Sequence, residues 1–134
     1  MAVQAIMRPV FCRPEFFCLS LEAEIEARNY YNFPDDLVTI FIIEHGADPI
    51  TMKLVSQYPF RNYCVLRPRK FGLSMNILEG MKDAFGFATD YVIYIEDDIL
   101  VHKTYFQYMN MLLNMDLGKV SVLSAYSFDD GGSV

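Results

Sequence analysis

Short runs of β-branched and other apolar residues alternate along the chain with segments whose apolar positions recur every three to four residues. That alternation constrains the fold more than any other feature, because parallel strands need a crossover and a helix is the compact way to make one. The expected fold class is therefore α/β, a Rossmann-like, mostly parallel sheet flanked by helices. Ala2 to Met7, or a little longer, is the first strand, and Pro14 stands where a proline opens a helix. This helix sets Phe17, Leu21 and Ile25 on one stripe and Glu22, Glu24, Glu26 and Arg28 elsewhere, before Asn32-Phe33-Pro34-Asp35-Asp36 stops it. Leu37 to Ile43 is a second strand, and Asp48-Pro49 reads as the N-cap and first-turn proline of a short helix that Pro59 ends. Asn62 to Leu66 and Tyr91 to Ile95 are further strands, separated by a helix carrying Ile77, Met81 and Phe85, with Leu78 beside them, that Gly86 ends. Thr104 to Gln107 matches a capping box for a helix running to about Gly118, and Val120 to Ala125 is a fifth strand.

Composition narrows the functional classes. With 134 residues the chain has room for one ordinary domain, and 53% hydrophobic residues give it a core to bury. A net charge of −6 argues against nucleic acid as a partner held by the overall field, although a local basic patch can still hold a phosphate. No apolar run reaches the roughly 18 to 20 residues of a membrane span. Cys12, Cys18 and Cys64 are odd in number and lack zinc spacing, so buried free thiols are expected. No G-x-G-x-x-G follows a strand, and there is no Walker A motif.

Ligands of open α/β sheets collect at the carboxyl ends of the strands. Those ends carry Arg13, then Glu44-His45-Gly46, then Arg67-Pro68-Arg69-Lys70, then Glu96-Asp97-Asp98. Three adjacent carboxylates repel one another, so a fold that holds them at a strand end normally supplies a cation. Mg²⁺ or Mn²⁺, bound through one or two carboxylates, keeps positions open for phosphate oxygens. Plainer readings stand beside these: an acidic solvated loop, a surface ion pair between Arg13 and the helix glutamates, and a solvated basic loop at Arg61, Arg67, Arg69 and Lys70. His102, four residues past Asp98, reads as structural.

Tyr91 to Met109, YVIYIEDDILVHKTYFQYM, resembles the segment around the metal-binding acidic motif of GT-A glycosyltransferases. The likeness is to the N-acetylglucosaminyltransferase I type, including the protein O-mannose N-acetylglucosaminyltransferases. Phe11-Cys12-Arg13, Arg69-Lys70-Phe71, and Leu123-Ser124-Ala125-Tyr126 leading to Asp130-Gly131 match further stretches in the same order. The resemblance implies a domain that binds a UDP-sugar and Mn²⁺ (or Mg²⁺) for transfer of the sugar to an acceptor hydroxyl. It implies Asp98 as direct metal ligand, and Glu96 and Asp97 on the sugar and ribose side. Glu44 would accept the uracil N3–H, and Arg13 and Arg69 would balance phosphate charge. Two positions depart from the pattern: Glu44 replaces an Asp, and Pro68 stands where the relatives place a base-contacting His. The resemblance covers the donor-binding half, so the chain is expected to be truncated relative to the family. The acceptor half would carry the general base, and none is assigned here.

A reading from another class stays open, a non-catalytic α/β nucleotide- or metal-binding module. Its receiver version is disfavoured, since the first strand ends in Arg8-Pro9 and the acidic cluster follows the fourth strand. A homo-oligomer could complete an incomplete site.

Overall fold

The computed structural model describes residues 2–88 and 90–115, and within them strands and helices alternate throughout. The elements are β1 (Val3–Val10), α1 (Pro14–Tyr30), β2 (Asp36–Ile43), α2 (Pro49–Ser56), β3 (Asn62–Leu66), α3 (Leu73–Phe85), β4 (Val92–Tyr94) and α4 (Tyr105–Leu113). The strands form one sheet in the order β3-β2-β1-β4, and every neighbouring pair is parallel. The chain winds outward from β1 to β3 and then returns across β1 to lay down β4. This puts a topological switch point between β1 and β4, the place at whose carboxyl ends open α/β sheets bind ligands.

β1 does not end at Arg8-Pro9, as the sequence suggests, but runs on to Val10. The direction of its backbone bonds explains how a central strand accepts a proline. Asp36 N–H donates to Ala2 O and Glu44 N–H to Val10 O, so even-numbered residues of β1 bond toward β2. Ile95 N–H donates to Met7 O, so odd-numbered residues bond toward β4. Pro9 belongs to the odd set, and its missing N–H stops the β4 ladder while leaving the β2 side intact. Gln4, also in β1, sets where β4 starts: its Oε1 accepts from Asp90 N at 3.0 Å and Tyr91 N at 3.1 Å.

Both faces of the sheet are covered. On one side Val10, Phe41 and Ile43 pack with Phe17 and Leu21 of α1 and Val55 of α2. Beside them Ile6, Leu37, Ile93 and Ile95 pack with Ala27 and with Phe106 of α4. On the other side Ala5, Met7, Val38, Ile40 and Ile42 meet α3. Strands buried on both faces explain why β1 and β2 read as continuous apolar runs.

Helix details depart from the sequence pattern, and so do the cysteines. The buried seam of α3 is Asn76, Gly80 and Ala84, with Ile77 and Met81 partly covered, while Leu78 and Phe85 are exposed. Small residues win because the helix lies close to the sheet: a Cβ on Gly80 would stand 3.0 Å from Ile42 Cγ1. Thr104 does precede α4, but its side chain makes no cap, because its hydroxyl pairs with His102 Nδ1 at 2.9 Å. The cysteines are free, yet Cys12 and Cys18 are half-buried and Cys64 is exposed on the edge strand β3. α4 ends at Leu113, with Asn114 as its C-cap, short of the stop expected near Gly118. The expected strand over 120–125 and the matched stretch from Leu123 to Gly131 lie outside the described residues. Among the described residues no helix is long and apolar enough to cross a membrane.

Candidate functional site

β1 and β4 end side by side, and their loops build the site from both directions. At the end of β1 the chain turns sharply at Cys12, whose φ of 58° lies in the left-handed region that non-glycine residues rarely adopt. Phe11, next in the odd-numbered set, points its N–H toward β4, where no strand remains to receive it. Asp97 receives it instead, Oδ2 accepting from Phe11 N at 3.0 Å. Asp97 is fully buried, and Arg13 closes over it, donating from Nε at 3.3 Å and from an Nη2 in close contact with Oδ1. The cation that this buried carboxylate needs is thus supplied within the chain by a two-pronged guanidinium. The same bond holds Arg13 more firmly protonated than a free arginine.

The other two acids of the motif have different surroundings. Glu96 is half-buried, and its Oε1 accepts from the Tyr94 hydroxyl at 2.7 Å. Burial, and then the bond to Glu96, push that hydroxyl well above the ordinary tyrosine range. Asp98 is 39% exposed and lies 3.8 Å from Arg13 Nη1, too far for a hydrogen bond. Three adjacent residues therefore do three jobs, because the strand end turns successive side chains in different directions.

Glu44 stands at the end of β2, almost wholly buried. Its Oε1 accepts from Phe71 N at 2.8 Å and His45 N at 3.3 Å, while Oε2 is buried with no hydrogen-bond partner among the described residues. A buried acceptor left unmade costs about 1–3 kcal/mol. Cys12 lies among these strand ends: burial, opposed by a backbone hydrogen bond from Asp48 and aided by the charges of Asp48, Glu44 and Asp97, raises its thiol pKa. Arg69 and Lys70 are exposed after β3, with Arg69 5.0 Å from the Phe71 ring centroid. Arg67 is a structural residue, bonded to Asn76 Oδ1 at 2.8 Å and paired with Asp83 at 3.2 Å.

The topology thus brings Arg13, Glu96, Asp97 and Asp98 together and leaves Glu44 and Arg69 at the neighbouring strand ends. Arg13 pairs with Asp97 and Asp98, not with the glutamates of α1. His102 is engaged with Thr104. Among the described residues no three His, Cys, Asp or Glu side chains stand close enough to hold a metal ion. A divalent ion caged by protein alone therefore does not suit this donor set. One that arrives with a diphosphate does, because Mg²⁺ or Mn²⁺ then needs only one or two carboxylates. Asp98, with its exposed carboxylate, is the member best placed to serve.

A buried polar cluster that belongs to none of the sequence motifs lies beneath the site. Arg8 and Glu24 are both fully buried, and Arg8 Nε faces Glu24 Oε1 at 3.4 Å without hydrogen-bond alignment. Tyr58 donates its hydroxyl to Glu24 Oε2 in a close contact, and Ser20 accepts from Arg8 Nη2 at 2.8 Å. The signal was present: Ser20 and Glu24 lie at i and i+4 beside Phe17 and Leu21, and a lone Arg in an apolar strand requires a carboxylate.

Two clefts lie elsewhere. One of about 380 Å³, lined by Arg28, Phe33, Asp36 and Phe60 among others, opens at the amino ends of β2 and β3. Another of about 450 Å³ lies along α4. The first cleft also carries charged groups, Arg28, Asp35 and Asp36, but it lies at the amino ends of the strands, whereas open α/β sheets bind ligands at the carboxyl ends, which makes those ends the candidate site. Compared with known proteins, the chain matches no family model, no curated protein and no solved structure.

Proposed function

We propose that the described α/β unit is the donor-binding part of a GT-A type glycosyltransferase, binding a UDP-sugar together with Mn²⁺ or Mg²⁺ at the carboxyl ends of β1 and β4. The observation that carries this reading is the gathering of Arg13 and the three acids at the topological switch point, with Asp98 and Arg13 both partly exposed. Arg13 contacts the diphosphate, and Asp97 aims it. Asp98 ligates the metal, which supplies Lewis-acid neutralisation of the diphosphate leaving group. Glu96 faces the sugar side, and Arg69 adds positive charge from the β3 loop. Glu44 Oε2 accepts the imide N–H of the base, giving its orphaned oxygen a partner; reaching it entails a shift of the segment around Phe71, whose N–H holds Oε1.

Amide chemical-shift mapping during a titration of UDP in Mg²⁺ tests this arrangement. The largest changes are expected at Phe11, Arg13, His45, Phe71 and residues 96–99. Changes centred on the cleft at the amino ends of β2 and β3, or none at all, would refute it.

A further inference from the structure

We infer that Arg8 and Ser20 are positioning residues that hold the acidic loop at the end of β4 from below. Arg8 sits in the middle of the central strand with no exposed surface, and burial pulls its pKa down. Taking a guanidinium out of water carries a large desolvation cost, and an apolar side chain would fill this core position without it. What an apolar residue could not do is hold carbonyl oxygens. Arg8 Nη2 donates to Ser20 Oγ at 2.8 Å, and Ser20 Oγ donates in turn to Ile99 O at 2.5 Å. Glu96 O lies 3.5 Å from both Arg8 Nη1 and Ser20 Oγ. The two carbonyls bracket Asp97 and Asp98, and Ile99 N–H closes the turn onto Glu96 O at 3.3 Å.

The loop is therefore gripped at both ends by side chains from β1 and α1. Glu24 keeps the Arg8 guanidinium compensated while its outer nitrogens do this work. Such a device suits a loop whose central carboxylates must keep fixed directions, one inward to Phe11 N and Arg13, the next outward. The inference deepens the proposed function and rests on it only for the role given to Asp98.

Ser20→Ala in the full chain tests it, read by amide hydrogen exchange without ligand and by the same UDP titration in Mg²⁺. The expected result is exchange about tenfold faster at the Ile99 and Phe11 amides, the factor one hydrogen bond carries, with β2 amides such as Ile40 and Ile42 unchanged. UDP affinity is expected to fall by a similar factor. A residue that only packs the core would loosen β1 and β2 together. Wild-type exchange at Ile99 and Phe11, or a uniform rise across the sheet, would overturn the inference. Failure of the wild-type chain to bind UDP would instead defeat the functional reading, and the exchange arm would still decide whether Arg8 and Ser20 hold the loop.

Discussion

Glu24→Ala is expected to cost about 3–5 kcal/mol of folding stability, the largest loss predicted for a single substitution in this chain. Glu24 and Arg8 have no exposed side-chain surface, so removing the carboxylate leaves a guanidinium facing the core with no opposite charge beside it. The Tyr58 hydroxyl would lose its carboxylate acceptor as well. Arg28 Nη1 and Thr39 Oγ1 still reach Tyr58, at 2.8 Å and 2.7 Å, which limits the damage at that end. Replacing both partners behaves differently: Arg8→Met with Glu24→Leu is expected to regain most of the loss, because two apolar side chains leave no buried charge. Urea unfolding of the two single variants and the double variant measures this. A Glu24→Ala loss below about 1 kcal/mol would contradict the burial of the pair.

Asp98→Ala is expected to leave stability within about 0.5 kcal/mol of wild type and to weaken metal-dependent UDP binding at least about 100-fold. The first part follows from exposure: among the described residues Asp98 makes one 3.8 Å approach to Arg13 and no hydrogen bond. The second follows from the proposed role of Asp98 as direct ligand, whose removal exceeds the loss seen when only an outer partner of a ligand is removed. Asp97→Ala should show the opposite balance. It strips the acceptor from Phe11 N–H and from two nitrogens of Arg13, so stability falls along with binding. Thermal melts beside binding isotherms separate the two residues. Equal behaviour of Asp97→Ala and Asp98→Ala would contradict the division of labour at this strand end.

Much of the fold was legible because local rules and tertiary needs agree. Pro14 at the first turn of α1, Asp48 capping α2 through Thr51 N at 2.8 Å, and the apolar runs of β2 and β3 all act through neighbours in sequence. The Glu96-Asp97-Asp98 position was legible too, since a strand end is read from the run before it. What escaped the sequence depends on partners far along the chain. Pro9 reads as a stop unless one knows that its nitrogen faces the side where β4 finishes. Glu24 reads as a surface glutamate of α1 unless Arg8 is known to lie beneath it. Repulsion among the three acids likewise suggests a metal from sequence alone, whereas Arg13 already neutralises the buried one. Under the proposed function that leaves Asp98 for the metal and would make diphosphate and metal mutually dependent, since neither alone would find a full set of partners.

Calorimetric titration of UDP with and without Mn²⁺ tests the central claim most directly. The account predicts saturable one-to-one binding in Mn²⁺, little or none in its absence, and little heat from Mn²⁺ added alone. UDP binding of equal strength with and without Mn²⁺, or no binding in either condition, would contradict it.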